Sequence, residues 1–138
     1  MKEFENKVAL VIGGTSGIGN ATANSLLEGG ATVHIVGRNI DKVADTPNLV
    51  KHAVNISKTE EVDALVSKIS ELENLDFLVN ASGIFGPKPF LDHTMEDYNS
   101  YLDLNRGFFF ITQSAAKKMK ATQGGSIVNV GSMWQSKP

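Results

Sequence analysis

Residues 7–24 read KVALVIGGTSGIGNATAN, and three of their glycines, Gly13, Gly17 and Gly19, stand at G-x-x-x-G-x-G spacing. A β-rich run precedes them and a stretch of helical periodicity follows. Glycine permits a sharp turn and lets the backbone come close to a bound group. A helix that starts here directs unpaired N–H groups and a partial positive charge at whatever lies in front of it. Thr15 and Ser16 add hydroxyl donors, and Ile18 lies between the last two glycines. This is chemistry for holding a pyrophosphate. Asn20 rather than lysine follows the last glycine, which excludes a triphosphate-binding P-loop. The same residues would also serve a tight strand-to-helix turn with no ligand. Their position on the first strand of a βαβ unit favours a dinucleotide.

The end of the second strand of such a unit faces the adenosine ribose. A carboxylate there suits a free 2′-hydroxyl, and an arginine suits a 2′-phosphate. The residues are Val36-Gly37-Arg38-Asn39, with an arginine and no carboxylate. A guanidinium grips a phosphate through two parallel bonds. The expected cofactor is therefore NADP(H) in preference to NAD(H); the alternative reading of Arg38 is an ordinary solvated side chain.

These residues need elements to position them, and the chain supplies an alternation. Strands are expected at Lys7–Ile12, Ala31–Val36, Leu49–Val54, Asp76–Asn80 and Ser126–Val130. The first helix spans Gly17–Gly30, with Ile18, Ala21, Ser25 and Leu26 as its recurring face. A short helix is expected over Asp41–Asp45, stopped by Pro47. Ser57 and Glu60 form a capping-box pattern that opens a helix running to about Leu72. Thr94 and Asp97 repeat the pattern more weakly before a long helix, Met95–Lys120, whose Phe108, Phe109 and Phe110 read as packing residues. Strand–helix alternation predicts an α/β fold with a parallel, doubly wound sheet in three layers.

Composition bounds the rest. The chain has 138 residues, a formal net charge of −2 and no cysteine. The length suits one domain. Without cysteine there is no disulfide framework, thiolate metal site or thiol nucleophile. A pI near 5.9 with interspersed charge argues against a nucleic-acid partner, which calls for a basic face. No apolar run reaches the roughly 18 residues of a membrane span, so a cytoplasmic protein is expected. His34, His52 and His93 lack ligand spacing, and no metal site is expected.

With these residues in place, the sequence resembles the short-chain dehydrogenase/reductase family, along its whole length. Gly13, Gly17 and Gly19 match the family's TGxxxGxG loop. Asn80-Ala81-Ser82-Gly83 matches its NNAG segment, with Asp76 at the start of that strand. Asn105, in LDLNRGFFF, matches the asparagine of its proton relay. Ser132, in IVNVGSM, matches its catalytic serine. The resemblance implies a Rossmann-like sheet in strand order 3-2-1-4-5 and hydride transfer between a nicotinamide and a small alcohol or carbonyl substrate. It implies cofactor contacts at the glycine loop, Arg38, Asn55, Ile56, Asn80, Ala81 and Gly83. Three positions depart from the pattern. Ile12 replaces a threonine that ties the loop down, Ala81 replaces the second asparagine, and Asn55 stands where an aspartate often meets the adenine.

The family's Y-x-x-x-K pair is absent. The two tyrosines, Tyr98 and Tyr101, are followed four residues later by Leu102 and Asn105. The resemblance implies that the pair lies beyond Pro138, and that residues 1–138 are the N-terminal part of a larger dinucleotide-binding domain, inactive alone. A non-catalytic dinucleotide-binding module is the alternative reading. The fifth strand would then be an open edge, and the long helix carries apolar residues on several sides. A homo-oligomer is expected, since the family uses the matching helix between subunits.

Overall fold

The computed structural model describes residues 2–84 and 86–132. Its elements are β1 (Val8–Ile12), α1 (Gly17–Glu28), β2 (Thr32–Gly37), β3 (Leu49–Ala53), α2 (Thr59–Glu71), β4 (Phe77–Asn80), a 3-10 turn (Phe90–Asp92), α3 (Met95–Ala121) and β5 (Ser126–Asn129). The strands form one sheet in the order β3-β2-β1-β4-β5, and every pairing is parallel. This is the doubly wound order expected from the sequence.

Alternation along the strands builds the layers. Successive side chains of a strand point to opposite faces. Ala9, Val11, Val33 and Ile35 meet Ala23 and Leu26 of α1 on one face. Leu10, Ile12, Val36 and Leu78 meet Val62, Leu65 and Ile69 of α2, and Ile111, Ala115 and Met119 of α3, on the other. A sheet covered on both faces requires strands that are apolar throughout, and β1 is VALVI.

The register aligns the strand ends. Ile12 lies opposite both Val36 and Asn80, Val36 opposite His52, and Asn80 opposite Asn129. The segments that follow β1, β2, β3 and β4 therefore emerge along one edge of the sheet. At the other edge, Asp76 joins β1 to β4. Its carboxylate accepts from the Val8 N–H at 2.8 Å and from Asn74 Nδ2 at 2.9 Å.

Several local expectations are corrected. No helix forms over Asp41–Asp45, where the backbone makes a turn. Five residues offer too few backbone bonds to offset helix nucleation, and Lys51 takes the Val43 carbonyl at 2.9 Å. The Ser57–Glu60 capping box does not form either. The N-cap of α2 is Lys58, without a side-chain bond. The Ser57 N–H instead donates to Asn55 Oδ1, and Glu61 accepts from the Asn55 N–H. The weaker signal is the real box: Thr94 and Asp97 satisfy each other's backbone N–H groups at the start of α3. The buried face of α1 is Gly19, Ala23 and Leu26, and Ile18 is 62% exposed. Of the three consecutive phenylalanines, Phe108 packs against the core while Phe109 and Phe110 are exposed.

The sheet also joins two residues that spacing alone left apart. His34 of β2 and His52 of β3 stack with ring centroids 5.2 Å apart, and His34 Nδ1 lies 2.9 Å from His52 Nε2. Leu65, Lys68, Ile69 and Leu72 cover them from α2 and its C-terminal end. Burial, then the His34 and Lys68 charges, lower the His52 pKa from its ordinary 6.5 to about 4; burial lowers that of His34 too. Between those limits the unfolded chain takes up the proton more readily than the folded one. The contribution of His52 is thus complete above about pH 6.5 and is lost as pH falls toward 4. The melting temperature should therefore fall from pH 7 to pH 4.5, and less steeply in His52→Gln. Parallel slopes in the two proteins would refute this assignment.

Candidate functional site

The aligned strand ends enclose a cleft of about 490 Å³. It opens where the strand order reverses at β1, the crevice that doubly wound sheets offer to ligands. Gly13, Thr15, Ser16, Gly17 and Ile18 line it from the first turn, and Arg38 from the end of β2. Asn55 and Ile56 line it beyond β3, and Ala81 and Gly83 beyond β4. All ten are sequence-predicted site residues. Gly37, Asn39, Lys42, Ser57 and Ser82 are also in the lining, and sequence reasoning did not select them.

The glycine turn is shaped by close contact. Gly13 has φ +79, and a Cβ there would lie 2.8 Å from the Ser82 nitrogen. Gly19 does not line the cleft. It packs behind it, where a Cβ would overlap the Gly13 carbonyl oxygen. Its small size thus lets α1 start directly against the loop. Ile12 offers no hydroxyl to tie the loop, and other groups do so. The Gly13 N–H donates to the Val36 carbonyl at 2.9 Å, and Asn20 Nδ2 donates to the Gly14 carbonyl at 3.1 Å.

The electrostatics suit an anion. Ser16 is the N-cap of α1 but makes no side-chain capping bond, and the first turn holds no acidic residue. The dipole and N–H groups at that end are left for a ligand. Arg38 and Lys42 are the cations among the described lining residues, and no aspartate or glutamate is among them. The donor set and the tightly built turn fit the pyrophosphate and ribose of a dinucleotide.

A second hollow, of about 520 Å³, lies along α3. Ser82 lines both. Asn80, Asn105, Thr112 and Asn129 line the second. Asn80 is 6% exposed, and its Nδ2 donates to Thr112 Oγ1 at 3.0 Å and to Asn129 Oδ1 at 2.7 Å. One side chain thereby links β4 to α3 and to β5. Asn80, a sequence-predicted cofactor residue, lines the second hollow rather than the first. Asn105 is exposed on α3, seven residues before Thr112 and so on the same face of the helix. Ser132 is exposed three residues beyond the end of β5 and is not among the described residues lining either hollow.

The family model described as short chain dehydrogenase matches residues 7–138. The chain belongs to the short-chain dehydrogenase family. It is 34% identical over 144 residues to the oxidoreductase YvrD of Bacillus subtilis, covering 99% of this chain and 55% of that protein. It is 33% identical over 142 residues to FabG, the 3-oxoacyl-[acyl-carrier-protein] reductase of Aquifex aeolicus, covering 95% of this chain and 57% of that protein. A short-chain dehydrogenase of Leptospira borgpetersenii, solved with bound NAD+, superposes with a TM-score of 0.88 at 26% identity, over 98% of this chain and 55% of that one. The chain thus spans little more than half the length of these relatives. Among short-chain dehydrogenases this one has the five-stranded sheet, the glycine turn and the cleft within the described residues. None of its described helices is long and apolar enough to cross a membrane. No group of three or more potential metal-ligating side chains occurs among the described residues.

Proposed function

We infer that residues 1–138 form the dinucleotide-binding, N-terminal portion of an NADP(H)-dependent oxidoreductase acting on a small alcohol or carbonyl compound. The observation that carries this reading is the cleft itself. A glycine turn, an uncompensated helix N-terminus and two cations meet at the switch point of the sheet, with no carboxylate among the described lining residues. Membership of an oxidoreductase family supports the reaction class.

When bound, the nicotinamide supplies or accepts a hydride. The chain's residues do the remaining work. The turn from Gly13 to Gly19 and the Thr15 and Ser16 hydroxyls hold the pyrophosphate. Arg38 grips the ribose phosphate. Asn55 and Ile56 border the adenine, and Ala81 and Gly83 border the nicotinamide side. Asn80 acts at one remove, through Asn129 and Thr112. Ser132 donates a hydrogen bond to the substrate oxygen, and Asn105 supports proton movement along α3. The sequence contains no Y-x-x-x-K pair. A positioned acid or base is worth about 10²–10⁴-fold in rate, so these residues alone bind cofactor without appreciable turnover. The protein acts in the cytoplasm, with no metal, nucleic acid or membrane partner.

Titration with NADPH and NADH, followed by nucleotide fluorescence, tests the reading. NADPH should bind more tightly. Arg38→Leu should weaken NADPH about tenfold and change NADH less than about twofold. Equal effects on the two would reject the cofactor preference, and no binding of either at millimolar concentration would reject the dinucleotide site.

The same reading makes the chain a homo-oligomer. Met95, Tyr98, Leu102 and Phe109 are exposed at three-, four- and seven-residue steps on α3. This spacing is that of a helix-packing stripe. Light scattering that returns a monomer at high concentration would count against it.

A further inference from the structure

Lys42 lines the cleft beside Arg38 and Asn39, yet it belongs to no motif. It sits in the turn between β2 and β3, and that turn is firmly held. The Val43 N–H donates to the Ile40 carbonyl at 3.2 Å, closing the turn around Lys42. Lys51 of β3 donates from Nζ to the Val43 carbonyl at 2.9 Å and pairs with Asp45 at 2.7 Å. The Lys51 side chain is only 18% exposed, whereas that of Asp45 is 92% exposed. A largely buried lysine therefore reaches up from the sheet and ties down the residue next to Lys42. Val43 itself packs against the core on the α1 side of the sheet. Among the described residues, neither Lys42 nor Arg38 forms an ion pair.

A phosphate monoester carries a charge between −1 and −2 near neutral pH and presents three oxygens. An arginine fork satisfies two of them and leaves the third facing outward. A lysine serves that oxygen well, because its ammonium acts as a point charge with rotatable donors. We propose that Lys42 is a second specificity-determining cation for a phosphate on the adenosine ribose, and that Lys51 is the positioning residue that holds its turn. This inference rests on the NADP(H) reading above and adds two residues to it. Arg38 supplies geometry, Lys42 supplies charge, and Lys51 keeps the two cations on the same side of the cleft.

The test is a set of fluorescence titrations with NADPH and NADH on the wild-type chain, Lys42→Ala, Lys42→Arg, Lys51→Met and Arg38→Leu, each checked by thermal melting. Lys42→Ala should weaken NADPH about fivefold, leave NADH within about twofold, and melt like the wild type. Lys42→Arg should recover most of the loss. Lys51→Met should shift the NADPH-to-NADH affinity ratio in the same direction. A purely structural lysine would lower the melting temperature and leave that ratio where it was. Equal weakening of both nucleotides by Lys42→Ala, or no weakening, would overturn the role of Lys42. An unmoved ratio in Lys51→Met would overturn the positioning role. These failures differ from failure of the underlying reading, in which the wild type binds NADPH no better than NADH and Arg38→Leu leaves their ratio unchanged.

Discussion

Gly19→Ala is expected to bind NADPH at least about thirtyfold more weakly than the wild type and to melt about 10 °C lower. A methyl at this position would overlap the Gly13 carbonyl oxygen. The backbone of the turn cannot give way cheaply. It is held to the Val36 carbonyl by the Gly13 and Gly14 N–H groups, and its other side abuts Ser82. Overpacking of this kind typically costs about 1–3 kcal/mol, and at this chain length about 3 kcal/mol corresponds to roughly 10 °C. Binding suffers as well as stability, because the start of α1 must move away from the loop that it helps to form; thirtyfold corresponds to about 2 kcal/mol. Gly17→Ala is the control. No heavy atom lies within 4 Å of a Cβ there, so only its φ of +55 resists the change. That strain is about 1 kcal/mol. Melting curves and NADPH titrations on both variants make the comparison. A Gly19→Ala protein that bound like the wild type would show that the turn does not shape the site.

The second large effect is expected at Asn80. Its alanine variant should lose about 3 kcal/mol of stability. The two hydrogen bonds of a buried side chain disappear, to Thr112 and Asn129, and a cavity opens beneath α3. Thr112→Val removes one of those bonds and nearly conserves volume, so it should lose only about 1 kcal/mol. Because the two residues share a bond, the double variant should lose less than the sum of the singles. Hydrogen exchange adds a local readout. The amides of β5 should lose protection in Asn80→Ala before those of β1, because all four β5 residues are exposed and β4 is the partner strand in the described sheet. Denaturant melts of the three variants would refute the hub if Asn80→Ala proved no worse than Thr112→Val.

Particular residues show how far sequence reading reached. The glycine spacing at Gly13, Gly17 and Gly19 and the arginine after β2 were legible because both depend on local chain geometry. A turn needs small residues at fixed steps, and the first residues after a strand must face its C-terminal edge. The strand order was legible too, through family resemblance. Lys42 and Ser82 were not. Their membership of the cleft depends on how far the segments after β2 and β4 fold back, and no periodicity encodes that. Ile18 and Phe109 were assigned to packing faces and are exposed, because an apolar residue at helical spacing does not reveal which side of the helix the sheet covers. The failed box at Ser57 and the true one at Thr94 make the same point. Both have the right residue types three apart, but α2 takes Lys58 as its N-cap, which leaves Ser57 and Glu60 one residue out of the capping positions.

By itself the sequence determined the five strands and three long helices, the parallel sheet and the anion-binding character of the first turn. Each follows from short-range physics: two-residue and near-four-residue periodicity, and the conformational freedom of glycine. Tertiary structure decided which side chains share a space. It stacked His34 on His52 across two strands, linked Asn80 to a helix and a neighbouring strand, and set Lys51 of β3 against the Val43 carbonyl in the turn after β2. These contacts join residues from different elements, so they arise only from the register of parallel strands and the packing of helices across them.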